Sequence, residues 1–148
     1  MNSFRVEKTS ILDLRTLTPL VNESIAEGYE LVCRLVTDWE RGTNRFSRPG
    51  EALFLAIGVD APVGVCGLNI DPYADGSRIG RVRHLYVAAA YRRHGIGQAL
   101  VREVVAEAAK SFDTLTLRTT SPAAAAFYIA LGFAPTTLFA CSTHCLRL

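Results

Sequence analysis

The stretch His84-Leu-Tyr-Val87, Ala88-Ala-Ala-Tyr91, Arg92-Arg-His-Gly95-Ile-Gly97-Gln-Ala-Leu100 decides the fold. It reads as a strand that runs into a tight loop, and the loop opens a helix. Ile96, Leu100, Val101, Val104, Val105 and Ala108 make one apolar stripe, with Gln98, Arg102, Glu103, Glu107 and Lys110 on the other face. The first turn of a helix has unpaired N–H groups and the positive end of the dipole. Gly95 and Gly97 let a ligand come close to the backbone, and Arg92 and Arg93 add positive charge. The combination predicts a site for a phosphate or pyrophosphate. It is neither a Gly-x4-Gly-Lys-Ser/Thr loop nor a full Gly-x-Gly-x-x-Gly fingerprint, because the lysine and the third glycine are missing.

Working backward, three strand-length runs precede the loop: 52–59, 63–70 and 79–87. Asp60-Ala61-Pro62 and the turn Asp71 to Gly76 join them, which predicts an antiparallel meander. Two helices come before the meander. One covers roughly 18–27, with Thr18 as N-cap, Pro19 inside and Gly28 as stop, and the other covers 29–41 with Gly42 after it. Phe4-Arg5-Val6 alternates as a first strand. Working forward, residues 113–119 form a strand, Ser121-Pro122 starts a short helix that Gly132 ends, and 133–146 hold one or two final strands. The expected fold is a mixed α/β (α+β) layout in a single domain over 1–148. It has a central sheet of six to seven strands, about four helices, and two parallel strands in its β-α-β part.

Arg92-x-x-Gly95-x-Gly97, after a strand ending Leu-Tyr-Val, resembles the acetyl-CoA pyrophosphate loop of the GNAT superfamily of N-acetyltransferases. About thirty residues on, Ala124-x-x-Phe127-Tyr128-x-x-x-Gly132-Phe133 resembles the family's final-helix signature. The resemblance covers the whole chain in layout and is motif-specific from about residue 79 to 134. It implies a loop of Arg92, Arg93, His94, Gly95, Ile96, Gly97 and Gln98 whose N–H groups hold the pyrophosphate. It also implies a splayed strand in which Leu85, Tyr86 and Val87 accompany the pantetheine arm. The Val87 N–H then faces the thioester oxygen, and Tyr128 protonates the leaving thiolate, with Phe127 beside it. Ser121 stands where many members have an Asn that touches the cofactor. Arg81 stands where many have a Glu general base, which leaves His84, Glu40, Asp71 or a water chain to take the amine's proton.

The resemblance places the acceptor against the early helices, the loop after them and the splayed strands; the candidates there are Trp39, Arg45, Asn69 and Arg83. Arginine holds carboxylates bidentately, so Arg41, Arg45 or Arg83 could anchor an acidic group on the acceptor. The expected reaction is direct transfer from acetyl-CoA to a primary amine of a small molecule or peptide in a ternary complex. The alternative is an acyl-CoA-binding module without turnover.

Composition narrows the classes. The chain has 148 residues, 49% of them hydrophobic and 20% charged, which is ordinary globular usage. Its net charge is only +2, so a duplex-DNA binder, which shows a stronger basic excess, is not expected. Lys8 and Lys110 stand against fourteen arginines, usage that leans toward a bacterial source. Cys33, Cys66, Cys141 and Cys145 are too sparse for a disulfide scaffold, read as buried reduced thiols, and lack the paired spacing of zinc modules, so no metal is expected. None has a visible His or acidic partner, so an acetyl-cysteine intermediate is not expected. The N-terminal segment has no apolar signal-peptide core, and Pro122, Gly132 and Pro135 break the uncharged run 119–146. The expectation is a cytoplasmic protein, with that uncharged region offering a strand for homodimer pairing.

Overall fold

The alternation of β2 sets the architecture. In the computed structural model, β2 (Ala52–Ile57) is buried along its whole length, so both sheet faces must be covered. Ala52, Phe54 and Ala56 pack with α3 (Ile96–Ala108) through Ile96, Leu100, Val101, Val104 and Ala108. Leu53, Leu55 and Ile57 face the other way, against Leu17 and Leu20 near α1 (Thr18–Ala26) and Val32, Leu35 and Trp39 of α2 (Leu31–Arg41). Fully burying a side chain such as Leu35 or Leu100 is worth about 1.5–3 kcal/mol. Gly64 lets α3 settle on the sheet, since a Cβ there would sit 3.1 Å from Leu100 Cδ1 and 3.2 Å from Ile96 Cγ2.

The structure describes residues 3–76 and 78–148; the first two residues of the N-terminal segment read above lie outside them. The sheet has seven strands in the order β1-β2-β3-β4-β5-β7-β6, with four α-helices. β1 is Arg5–Thr9, β3 Pro62–Ile70, β4 Ile79–Val87, β5 Thr114–Leu117, β6 Ala134–Pro135 and β7 His144–Arg147, and α4 is Pro122–Ala130. β1 to β4 form the antiparallel meander, and β4 and β5 are the parallel pair. β7 runs antiparallel to both β5 and β6.

The helix ends follow the sequence with one correction. Gly42 closes α2 at φ 73°, and Ser121 caps α4 by accepting from the Ala124 N–H at 3.2 Å. Thr18 is not the N-cap of α1: a turn of 3₁₀ helix over Leu14–Leu17, capped by Asp13, runs straight into it and makes Leu17 the cap. β6 ends in Pro135, which has no N–H, so this sheet edge is short and blunted. No helix among the described residues is long and apolar enough to cross a membrane.

Two departures from a regular sheet make the site. The β4–β5 register covers only Ile79–Arg81 against Thr114–Thr116, after which the strands part. The β3–β4 register shifts between Val65 and Gly67, leaving His84 and Leu85 opposite Cys66, with His84 at φ 61°.

Candidate active site

The parting of β4 and β5 opens a cavity of about 1020 Å³. The end of β4, the loop Arg92–Gln98, the end of β5, α4 and the α1–α2 connection around Tyr29 line it. The sequence-predicted loop and strand residues come together here. Leu85, Tyr86, Val87, Arg92, Arg93, Gly95, Ile96, Gly97, Gln98, Ser121, Phe127 and Tyr128 all line this cavity. His94 lies within the same loop without lining it.

The loop has the backbone form of an anion-binding concavity. Arg93 has φ 66° and Gly95 φ 81°, and left-handed residues within a turn aim successive N–H groups inward. The first helical bond of α3 is Ala99 N–H to Gly95 O at 3.0 Å, so the N–H groups of its first turn remain for a ligand. A Cβ on Gly95 would meet nothing within 4 Å, so the space beside it is open. Gly97 lies close under α4, with Phe127 Cζ 3.4 Å from its would-be Cβ.

Strand geometry orients Val87. The Ala88 N–H donates to Val63 O at 2.8 Å, and pairing directions alternate along a strand. The Val87 N–H and C=O therefore point away from β3, toward the gap left by β5. Arg92 Nε donates to that carbonyl at 3.0 Å.

Arg92 itself is committed to protein. Its guanidinium forks onto Glu27 of the α1 C-cap, Nη1 to Oε2 at 3.0 Å and Nη2 to Oε1 at 2.6 Å, and it lies over the Tyr86 ring. The Arg92 bonds, and then the Tyr86 hydroxyl, hold the Glu27 carboxyl below its usual range. Tyr86 lines the cavity, but its side chain turns to α1, with its hydroxyl 2.6 Å from Oε1 of both Glu23 and Glu27. Burial, and then those carboxylates, push its phenol up. Glu23 also accepts from the Ala89 N–H at 2.8 Å. A carboxylate pair thus braces the loop, and the sequence alone did not single it out. Its only signal is acidic residues four apart at the end of α1, with the loop arginine 65 residues away from Glu27.

Tyr128 sits on the buried side of α4, edge-on to Phe127 and Phe133. Burial, and then the neighbouring Cys66, raise its phenol well above the ordinary value, so it keeps its proton at neutral pH. Cys66 is fully buried and its thiol is pushed up to about 12, which leaves it inert. The other cysteines correct the sequence reading: Cys33 and Cys145 are half-buried and Cys141 is exposed.

The predicted acceptor residues divide. Arg83 lines the cavity. Trp39 is buried in the α2 core and stacks on Phe46. Arg45 donates to the Trp39 carbonyl at 2.9 Å and so binds the end of α2. Asn69 exchanges hydrogen bonds with Asn44 and donates to Glu51 at 3.0 Å. These three serve packing and loop closure away from the cavity wall.

The proton-acceptor candidates divide similarly. Arg81 is a buried anchor that donates to Ser142 Oγ at 2.8 Å and to the Cys141 carbonyl at 2.6 Å, with Asp71 Oδ2 3.6 Å away. Asp71 also accepts from Thr116 Oγ1 at 2.6 Å, so its carboxylate is fully engaged. Glu40 is exposed and does not line the cavity. His84 lines it, but burial, and then the Arg83 charge, push its imidazole down to about 4, and its Nε2 has no hydrogen-bond partner. The described residues contain no group of three His, Cys, Asp or Glu that could hold a metal ion.

Residues 49–135, more than half of the chain, match the family profile described as an acetyltransferase (GNAT) domain. A crystal structure from an Exiguobacterium species, described as an inferred acetyltransferase, is 30% identical with a TM-score of 0.87, covering 98% of this chain and 93% of its own. A GNAT-family acetyltransferase from Staphylococcus aureus shares the fold at 20% identity and TM-score 0.72, over 92% of this chain and 87% of its own. An acetyltransferase from Streptococcus agalactiae does so at 17% identity and TM-score 0.77, over 98% of each chain. No curated protein matches the sequence at a significant level. With its cavity, its loop and these matches, the chain belongs to the GNAT family of acetyltransferases.

Proposed function

We propose that the protein moves the acetyl group of acetyl-CoA to a primary amine of a small molecule or peptide by direct attack, with both partners bound. The supporting observation is the cavity that follows the parted strands and ends in the left-handed turn at Arg93 and Gly95. That turn fits a pyrophosphate by its inward N–H groups and its open side at Gly95. Acetyl-CoA supplies an acetyl thioester, whose carbonyl carbon an amine nitrogen can attack with loss of a thiolate.

Each residue then has a task. The N–H groups from Arg93 to Gln98 hold the pyrophosphate. Arg92 keeps the loop in place through Glu27 rather than touching phosphate. Leu85 and Val87 offer backbone groups to the pantetheine arm, and Ser121 and Phe127 wall it. The Val87 N–H stabilises the oxygen where negative charge develops, worth about 2.7–4 kcal/mol for a well-placed donor. Tyr128 gives its phenolic proton to the departing sulfur and regains one from water. With Arg81 and Asp71 paired and His84 only weakly basic, water carries off the amine's proton. Holding both reactants in one cavity removes much of the entropic barrier.

The test is release of CoA thiol over an amine panel, with Tyr128→Phe beside the wild type. The variant should turn over about 10²–10⁴ times more slowly with its acetyl-CoA affinity kept. An undiminished rate removes Tyr128 from the mechanism. Binding without turnover on any amine favours the non-catalytic module.

A further inference from the structure

The charges on the cavity wall are unequal, and only some are balanced. Arg34 is paired with Glu30 at 2.9 Å, Arg81 with Asp71 at 3.6 Å and Arg92 with Glu27 at 2.6 Å. Arg83, Arg93 and Arg118 also line the cavity, and none has a carboxylate within 4 Å among the described residues. Arg93 belongs to the loop that receives the pyrophosphate. Arg83 and Arg118 are left without a task.

Register brings these two to the two sides of one gap. Arg81 is opposite Thr116 in the parallel pair; β4 continues two residues to Arg83, whereas β5 ends at Leu117 and Arg118 is the first residue beyond it. Side chains alternate along a strand, so Arg83 lies on the face of Arg81, and Arg118 lines the same cavity from the end of β5. Val82, Leu115 and Leu117 pack in the core with α3, so Arg81 and Thr116, which both reach Asp71, stand on the opposite face. The two arginines therefore flank the gap where β4 and β5 part. Arg83 is opposite Gly67 and Val87 opposite Gly64, so with the bulge the step between them spans three partner residues, about 10 Å at 3.3 Å per residue, and the phosphate loop lies farther along the chain beyond Val87. An anion held there sits near the reacting end of the cavity and not at the pyrophosphate end.

We propose that the acceptor is a small amine that carries a carboxylate, held by Arg83 and Arg118. The identification deepens the acetyl-transfer reading and rests on it. A guanidinium fork matches a carboxylate, and two of them flanking the gap leave the amine of the same molecule free to turn toward the thioester. A polycationic acceptor would meet two uncompensated positive charges, which excludes it from this site.

The experiment compares amino acids with their amides, and ω-amino acids with the matching alkylamines, by thiol release at saturating acetyl-CoA. Wild type, Arg83→Gln, Arg118→Gln and Arg83→Lys are assayed, and acetyl-CoA affinity is measured separately by calorimetry. The carboxylated member of a pair should be preferred, and either Gln variant should raise its KM about tenfold to a hundredfold while leaving kcat and acetyl-CoA affinity unchanged. Arg83→Lys should recover part of the loss. Arg118 is exposed and Arg83 half-buried, so the folds should survive, and matching melting curves verify that. Equal use of neutral amines, no turnover on any carboxylated amine, or a Gln variant that weakens acetyl-CoA instead of the acceptor overturns the proposal. Failure of the wild type to bind acetyl-CoA is a separate result, and it removes the underlying acetyl-transfer reading.

Discussion

Replacing Gly95 by alanine separates the backbone demands of the loop from its demand for a ligand. Gly95 has φ 81° and Gly42 has φ 73°, so both hold the left-handed conformation that costs an L-residue about 1–2 kcal/mol. A Cβ at Gly95 meets nothing within 4 Å, and one at Gly42 comes no closer than 3.8 Å to Arg45 Nη2. Neither substitution creates a clash, so each should lower Tm by about 2–8 °C through backbone strain alone. Of the two, Gly95 lines the cavity and Gly42 does not. Its new methyl would take up open space in the loop that the account gives to the phosphate. Losing one charge-assisted hydrogen bond costs about 1.5–3 kcal/mol, so acetyl-CoA affinity should fall by roughly tenfold to a hundredfold. Gly42→Ala should bind as the wild type does. Thermal melts and calorimetric titration of both variants make the comparison. Equal weakening in both, or unchanged affinity in Gly95→Ala, would refute the assignment of the loop.

Three more outcomes follow from the site. Unfolded, His84 takes up a proton near 6.5, and folded only near about 4. Between those values the unfolded state binds more protons, so the stability tied to neutral His84 is complete above about pH 6.5 and is lost as pH falls toward 4, by up to about 3 kcal/mol. His84→Asn, which tolerates the left-handed backbone, should flatten the dependence of Tm on pH in that window; an unchanged slope contradicts the account. With water as the proton carrier, kcat/KM should keep rising from pH 6 toward the pKa of the acceptor amine, and a plateau governed by a group near 6.5 would point instead to a histidine base. Glu27→Gln should loosen the grip on Arg92 and weaken acetyl-CoA binding several-fold without touching the ligand, whereas an unaltered affinity means the loop holds its shape without that brace.

What could be read from the sequence was local. The apolar runs of β2, β3 and β4, the Pro and Gly punctuation of the helices, the Ser121 cap and the glycines at 95 and 97 each carry their reason within a few residues. Features decided by distant pairing were not legible. The bulge at His84 is a slip in register against β3, visible only once Val65 and Tyr86 are paired. Arg92 looked like a phosphate ligand because its partner Glu27 comes from another helix. Asn69 and Arg45 looked available because the groups that engage them, Glu51 and the end of α2, become neighbours only in the fold. Arg118 was read only as a strand residue; its place beside the gap follows from β5, paired in parallel with β4, ending at Leu117 just before it.

Calorimetric titration of acetyl-CoA into the wild-type protein tests the central claim most directly, because every assigned role depends on the left-handed turn at Arg93 and Gly95 holding its pyrophosphate. Saturable binding of one equivalent, weakened by Gly95→Ala, is the predicted result. The absence of saturable heat at any concentration of acetyl-CoA would contradict the account.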